Sequence, residues 1–265
     1  MPVASVNGQE VHYSDSGGDG PAIVFLHGFL FDESMFAPQF EALSPQYRCI
    51  AFDARGFGQT KWDGEKFTLY DTVADCIALL DELGVEKASF VGMSQGGYAT
   101  LRLAIKHPER VNSLVFLSTY NGVDTDDVKS IYLSMRDTWR EHGPAPVVGS
   151  LLDLFLGTVD VAGDLRAEWE PKWSARTGDE IFHTINNLIE RDAIDAEQVA
   201  TVTAPAMVIH SEGDQGIPIV LGETLFNSLP NGKQMIRIPD APHAVNLTHP
   251  EPVNDALKRF FGEFA

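Results

Sequence analysis

The sequence predicts an α/β protein: a mostly parallel, eight-stranded sheet with helices on both faces and a helical lid insertion. Two observations predict this fold class. Along residues 1–121, short apolar runs typical of buried parallel strands alternate with segments of helical periodicity. Over residues 122–199 only helical segments are visible, and the alternation resumes over residues 200–265. A chain of 265 residues, 44% of them hydrophobic, can bury one sizeable core.

We therefore expect residues 1–121 and 200–265 to form an α/β core, interrupted by a helical lid over residues 122–199. The predicted strands are Val3–Val6, Glu10–Ser14, Ala22–Leu26, Tyr47–Phe52, Ala88–Val91, Val111–Leu117, Ala206–His210 and Lys233–Ile238. The predicted core helices are Ser34–Leu43, Thr68–Leu83, Gly96–His107, Val220–Leu229 and Pro250–Phe264. Asn7-Gly8, between the first two strands, is a hairpin turn signal.

The acidic balance of the chain narrows the classes of partner. With 38 acidic and 19 basic residues, the formal net charge is −19. Such a field repels phosphate-rich ligands, so we expect no nucleic acid and no membrane as partners, whereas a neutral small-molecule substrate is not penalised. The N-terminal residues do not resemble a signal peptide, and no stretch is apolar enough to span a bilayer. We expect a cytoplasmic location; the oligomeric state stays open.

The two cysteines are expected to be structural. Cys49 lies in a predicted strand, and Cys76 lies on the apolar face of a predicted helix, so both are interpreted as small core residues rather than a disulfide framework. No cluster of cysteine and histidine has metal-ligand spacing. We therefore expect no metal site.

The strongest chemical signal is the segment Gly92-Met93-Ser94-Gln95-Gly96, which lies between a predicted strand and a predicted helix. A serine on so tight a turn adopts a strained backbone conformation, and side chains at the two flanking glycines would collide with neighbouring backbone. The turn directs the positive N-terminus of the helix at the Ser94 hydroxyl. This context favours a nucleophilic serine over an ordinary glycine-rich turn.

Together with this turn, the chain resembles the α/β-hydrolase family in three further segments. They are His27-Gly28-Phe29, then Asp53-Ala54-Arg55-Gly56-Phe57-Gly58-Gln59-Thr60, and finally Asp214-Gln215-Gly216-Ile217-Pro218 followed by Pro242-His243. The resemblance covers nearly the whole chain apart from the insertion. In this family the catalytic residues follow the order serine, acid, histidine, which implies Asp214 as the acid and His243 as the base.

The chemistry requires such partners for Ser94 in any case. A serine hydroxyl is a weak nucleophile until an imidazole takes its proton, and a carboxylate must orient and stabilise that imidazole. Asp214 could instead only shape its loop, and Asp124 is the nearest alternative acid because some relatives carry it after the strand ending at Leu117. His27 is expected to shape its turn. The other histidines are interpreted as structural or exposed: His12, His107, His142, His183, His210 and His249.

Two positions depart from the family pattern. Pro242 and Ser211 stand where glycine is common, and Pro242 could redirect the loop that carries the histidine.

The resemblance implies that the backbone N–H groups of Phe29 and Gln95 form the oxyanion hole. For Gln95 this also follows from its place at a helix start, where N–H groups lack intrahelical acceptors.

A substrate pocket is predicted from apolar residues near the strand ends and in the insertion. Leu30, Met93 and Tyr120 belong to the first group; Trp139, Phe155, Trp173 and Phe182 belong to the second. Each could equally be a packing residue. As a group they indicate an apolar acyl or ring-shaped substrate.

The sequence therefore predicts a serine hydrolase that cleaves a small carboxylic ester or lactone through an acyl-enzyme, without metal or organic cofactor. Relatives of this fold with an aspartate nucleophile are set aside because this chain has Ser94. Carbon–carbon bond hydrolases and cofactor-free perhydrolases use the same three residues and remain alternatives. A non-enzymatic receptor that binds a small molecule is a further alternative, although no feature of the sequence favours it.

Overall fold

The computed structural model describes residues 2–265; Met1, where the predicted core begins, lies outside them. Within these residues eight strands form one sheet in the order β1-β2-β4-β3-β5-β6-β7-β8. The strands are β1 (Val3–Val6), β2 (Gln9–Asp15), β3 (Ala22–Leu26), β4 (Arg48–Phe52), β5 (Ala88–Met93), β6 (Val111–Leu117), β7 (Ala206–Ser211) and β8 (Gly232–Ile238). Only β2 pairs antiparallel with its neighbours, β1 and β4, so the predicted fold class is confirmed.

The central strands are apolar because both faces of the sheet are covered. Every residue of β3 and β5 is buried, which matches their near-continuous apolar sequences. The helices formed by the core segments are α1 (Ala37–Leu43), α2 (Leu69–Glu82), α3 (Gln95–Lys106), α9 (Ile219–Ser228), α10 (Val245–Thr248) and α11 (Pro250–Phe264). The predicted helix Ser34–Leu43 is divided: a 3₁₀ turn over Glu33–Phe36, capped by Asp32, precedes α1. The four residues of α10 were too few for a periodic pattern to predict.

Between β6 and β7 the chain forms helices and no strand, as far as residues 2–265 are described. They are α4 (Asp126–His142), α5 (Val148–Leu156), α6 (Val159–Ser174), α7 (Gly178–Ile189) and α8 (Ala196–Val199). We call α4–α8 the inserted helices. Thr177 and Glu180 form a capping box at the start of α7, and Thr125 caps α4, so these helix starts are determined locally.

An aromatic cluster joins the inserted helices to the loop after β3. The ring of Phe31 lies 4.8 Å from that of Trp169 and 5.3 Å from that of Trp173. Phe155 completes the cluster, 5.8 Å from Trp173. All four side chains are buried. Aromatic rings bury the largest apolar areas per residue, so this cluster anchors the insertion to the sheet.

No helix within residues 2–265 is both long enough and apolar enough to cross a bilayer.

The aromatic cluster provides a test of how the insertion is held. We expect Phe31→Ala to lower the free energy of unfolding by about 3–5 kcal/mol, because it leaves a cavity between Trp169 and Trp173. Urea unfolding followed by tryptophan fluorescence measures this. Val161→Ala, at a side chain that is 70% exposed, is the control and should change stability by less than about 0.5 kcal/mol. An equally small loss for Phe31→Ala would contradict the described packing.

Candidate active site

Ser94 stands alone on a left-handed turn between β5 and α3. Its φ is +50° and its ψ is −115°, a conformation that L residues rarely adopt. The flanking glycines are needed because there is no room for a side chain: a Cβ on Gly92 would lie 2.5 Å from the Gly96 carbonyl, and one on Gly96 would lie 2.7 Å from the His27 carbonyl. The packing of β3 and α3 against this turn therefore forces the serine outward.

The neighbouring strand holds the turn at both sides of Ser94. The Ser94 N–H donates to the carbonyl of Leu117, at the end of β6, at 2.9 Å. The Thr119 hydroxyl donates to the Ser94 carbonyl at 2.8 Å. These two bonds tie the strained residue to the carboxyl edge of the sheet, where ligands bind in folds of this kind.

The structure brings Ser94, His243 and Asp214 into one chain of hydrogen bonds. The Ser94 hydroxyl lies 2.9 Å from His243 Nε2, and His243 Nδ1 lies 2.7 Å from Asp214 Oδ2. All three residues are less than one tenth exposed. Because an ionised carboxylate only accepts, His243 Nδ1 carries a proton and Nε2 is left to accept from Ser94.

The surroundings of Asp214 keep it ionised. Burial alone would raise its pKa, but the His243 imidazole and hydrogen bonds from His210, His243 and the Ile217 N–H outweigh burial, and the pKa lies well below its ordinary value. Its other oxygen, Oδ1, accepts from the N–H groups of Gly216 and Ile217, each at 2.9 Å. The loop after β7 is thus shaped around a negative charge.

Neither departure from the family pattern displaces His243. Pro242 precedes it, yet the imidazole lies within hydrogen-bond distance of both its partners. The Ser211 hydroxyl donates to the Ala241 carbonyl and accepts from the Gly213 N–H at 3.0 Å. Ser211 therefore joins the loop that carries the acid to the loop that carries the base, a contact that glycine could not make.

Asp124, the alternative acid, is engaged elsewhere. Its carboxylate accepts from Arg191 Nη1 at 2.6 Å and from the Tyr120 hydroxyl at 2.8 Å. Arg191 also lies over the ring of Tyr98 at 4.2 Å. Asp124 thus belongs to a partly buried ion pair with Arg191 that joins the two ends of the inserted helices, and it has no contact with His243.

Two backbone N–H groups beside Ser94 are free to bind an anion. Within residues 2–265 neither Phe29 N–H nor Gln95 N–H donates to a protein acceptor. Gln95 is the first residue of α3, whose dipole adds partial positive charge. Leu30, with φ of +69°, directly follows Phe29, so the loop that carries this donor is also strained.

The predicted pocket residues divide into several groups in the structure. Phe155 lies beside the base, with its ring 5.3 Å from that of His243. Trp173 packs behind it in the aromatic cluster, and Met93 is fully buried beneath Gly28. Tyr120 has its hydroxyl bound to Asp124. Each of these last three side chains is thus engaged in contacts within the protein.

The remaining predicted pocket residues lie in other surroundings. Trp139 is buried and donates to the Arg176 carbonyl at 3.1 Å. Phe182 packs under the guanidinium groups of Arg136 and Arg140, so its ring serves contacts between α4 and α7. Leu30 borders a cavity of about 480 Å³ that is lined mainly by polar and charged side chains, including Asp32, Glu33, Asp53, Lys172, Arg176 and Glu180. That cavity is not the apolar pocket that the sequence predicts.

The structure places His210, one of the histidines interpreted as structural or exposed, against the acid. It is fully buried, with Nε2 3.5 Å from Asp214 Oδ2. Its position four residues before Asp214, at the end of a strand, was the only available signal. In contrast His27, as expected, shapes its turn: Nε2 accepts from Ala54 N–H at 3.0 Å, and burial lowers its pKa.

Comparisons with known proteins identify the family of the chain. A model of the alpha/beta hydrolase fold matches residues 21–250, and the chain belongs to that family of hydrolases. A candidate non-heme bromoperoxidase, BpoC of Mycobacterium tuberculosis, is 31% identical over 93% of this chain and 96% of its own length. 3-Oxoadipate enol-lactonase 1 of Acinetobacter baylyi is 27% identical over 88% and 85% of the two chains. The crystal structure of an enol-lactonase from Burkholderia xenovorans superposes with a TM-score of 0.91, at 23% identity over 98% and 100%.

The lowered pKa of Asp214 gives a test by stability. Ionised Asp214 stabilises the folded state above the pKa of an unfolded aspartate, about 3.9, and this contribution is lost as the pH falls towards the lower folded pKa. We expect the difference in unfolding free energy between the protein and Asp214→Asn to shrink from pH 5 to pH 3. Urea titrations at each pH measure it, and a difference that grows as the pH falls would contradict the assignment.

Proposed function

We propose that the protein is a serine hydrolase that cleaves a small, largely apolar carboxylic ester or lactone. The observation that carries the proposal is the continuous hydrogen-bond chain from Ser94 through His243 to Asp214, next to two free backbone N–H groups. A nucleophile, a base, an orienting acid and anion donors are the parts that acyl transfer requires.

In the proposed reaction the Ser94 hydroxyl attacks the substrate carbonyl while His243 Nε2 takes its proton. The resulting oxyanion accepts from the N–H groups of Phe29 and Gln95, which need not reorganise because they have no protein acceptor. His243 then gives its proton to the leaving alkoxide. Water, deprotonated by the same histidine, attacks the acyl-enzyme and releases the acid.

Asp214 acts in the same way in both half-reactions. Because its pKa is held well below the ordinary value, it stays ionised while His243 gains and loses a proton. It fixes the tautomer that leaves Nε2 free, and it stabilises the imidazolium that forms.

The inserted helices are proposed to act as the lid of this site. Phe155 of α5 supports this role: its ring lies beside the His243 ring, and its carbonyl accepts from the Ala244 N–H at 2.8 Å. Such contacts would exclude water from the reacting atoms and favour an apolar acyl group. The likeness to 3-oxoadipate enol-lactonase supports a lactone as one substrate class.

The likeness to a candidate bromoperoxidase supports a second reaction on the same acyl-enzyme. If hydrogen peroxide attacks in place of water, Ser94 is released and the product is a peracid, which in turn oxidises bromide. The two outcomes are distinguished by incubating the protein with an acetate ester and hydrogen peroxide and comparing the amounts of peracid and acetic acid formed. We propose hydrolysis as the main reaction because it needs water alone.

The protein is proposed to act in the cytoplasm on a small molecule. Two buried, unpaired cysteines, Cys49 and Cys76, support a reducing compartment. Burial raises the pKa of the Cys49 thiol to about 12, so it is inert and unsuited to act as an alternative nucleophile.

Replacement of the nucleophile is the main test. We expect Ser94→Ala to lower kcat by roughly 10⁴-fold or more on nitrophenyl esters of graded chain length and on lactones. Ser113→Ala, at a buried serine of β6 that donates to Ser89, is the matched control and should keep its activity. Turnover by Ser94→Ala at the rate of the control would refute the proposed site. If the unaltered protein showed a single slow event in place of steady turnover, that would indicate a receptor.

The pH dependence is the second test. His243 accepts a proton only when neutral, so we expect kcat/KM to fall along a single acid limb between pH 8 and pH 5. Asp214 should add no second limb in this range, since its pKa lies below it. Initial rates in buffers of constant ionic strength measure the profile. A flat profile would contradict the role of His243.

A further inference from the structure

His210 and His243 contact the same oxygen of Asp214. His243 Nδ1 lies 2.7 Å from Asp214 Oδ2, and His210 Nε2 lies 3.5 Å from that atom. His210 Nε2 also lies 2.8 Å from the Ile217 carbonyl. His210 is the residue before the end of β7 and is fully buried, so no solvent competes for these contacts.

The neighbours of His210 determine its tautomer. The Ile217 carbonyl can only accept, so Nε2 carries a proton. Nδ1 is buried with no hydrogen-bond partner in the described part of the chain, and it faces Gly222, where an added Cβ would collide with it. A proton on Nδ1 would place an unpaired N–H of an imidazolium in this niche, which is costly. We therefore assign the neutral imidazole with its proton on Nε2.

This Nε2–H closes a ring of contacts around the acid. The Ile217 N–H donates to Asp214 Oδ1 at 2.9 Å, while the Ile217 carbonyl accepts from His210. Ile217 thus secures the turn that begins at Asp214 through both its N–H and its carbonyl. The His210 Nε2–H also directs the positive end of its dipole at Asp214 Oδ2, 3.5 Å away, the oxygen that accepts from His243.

We propose that His210 is a positioning residue for hydrolysis, which holds the Asp214–Ile217 turn in place and moderates the pull of Asp214 on His243. The proposal rests on the proposed function of Ser94, His243 and Asp214. His210 acts through the acid alone and has no contact with Ser94.

Loss of the Nε2–H has two separable effects. The turn loses a hydrogen bond to Ile217, so Asp214 and with it His243 are held less firmly, and kcat falls. The carboxylate also keeps more of its negative charge for His243, which favours the imidazolium and moves the acid limb of the rate profile to higher pH. Asp214 is otherwise faced by His243 itself, by the N–H groups of Gly216 and Ile217 and, at longer range, by Tyr132 of α4.

The experiment compares His210→Leu with His210→Gln by steady-state kinetics on a nitrophenyl ester from pH 5 to pH 9. Leucine fills a similar volume without a donor, whereas the glutamine amide can place an N–H near the position of Nε2. We expect His210→Leu to lower kcat about tenfold with KM within about twofold. We expect its acid limb to move up by roughly half a pH unit, and His210→Gln to restore both values most of the way.

His12→Leu is the matched control, because His12 is also buried against an aspartate, with Nδ1 2.9 Å from Asp53. It should lower the melting temperature and leave the midpoint of the acid limb unchanged. Gly222→Ala perturbs the imidazole without changing residue 210, and it should move the midpoint in the same direction as His210→Leu. This variant carries the test if His210→Leu does not fold.

Three results would overturn the inference. The first is wild-type kcat and midpoint in whichever of His210→Leu and Gly222→Ala folds. The second is an equal defect in the leucine and glutamine variants, and the third is an equal midpoint shift in His12→Leu. The proposed function is judged separately, by Ser94→Ala. An inactive Ser94→Ala together with unaltered His210 variants overturns only the role of His210.

Discussion

The site depends on one close approach of backbone, at the turn that carries Ser94. The carbonyls of Leu26 and His27 lie where a side chain on Gly96 would be, and the Gly96 carbonyl lies where one on Gly92 would be. Only glycines allow β3, β5 and α3 to meet so closely. Two hydrogen bonds hold Ser94 in its strained conformation. One joins its N–H to the carbonyl of Leu117, the last residue of β6, and the other joins its carbonyl to the hydroxyl of Thr119, which follows β6. The position of this turn determines where the Ser94 hydroxyl meets His243 Nε2.

From that turn the rest of the geometry follows in order along the sheet. β7 lies beside β6, so the loop after it brings Asp214 to the same edge of the sheet as Ser94. The loop after β8 brings His243 between them. Ser211 joins these two loops, and His210 and Ile217 secure the turn that holds the acid. The positions of the base and the acid are therefore set by strand order, whereas their fine alignment depends on buried polar contacts.

The fold and the reacting residues could be predicted because their signals are local. Apolar runs such as Ala22–Leu26 identify buried strands, and the glycines around Ser94 report a backbone constraint within five residues. The order of serine, acid and histidine came from the family resemblance, and no periodicity could have supplied it. Strand ends moved by one or two residues, as at Met93, because a buried strand and its following turn share the same apolar composition.

The pocket and the contacts of single side chains could not be predicted, because they depend on which face each inserted helix presents. Phe155 and Phe182 are equally aromatic in the sequence, yet one lies beside His243 and the other under two guanidinium groups of α4. His210 carries no sequence signal of its contact with Asp214 beyond its spacing of four residues. Asp124 is an acid after the expected strand, and its contacts with Arg191 and Tyr120 show that it belongs elsewhere.

The most direct test of the central claim is to trap the acyl-enzyme. The protein is mixed with a slow-deacylating nitrophenyl ester, quenched in acid within milliseconds to seconds, digested, and examined by mass spectrometry. We expect one acyl group per chain, on the hydroxyl of Ser94, formed at the rate of the nitrophenol burst. An acyl group on another residue, or turnover with no acylated species at any time, would contradict the account.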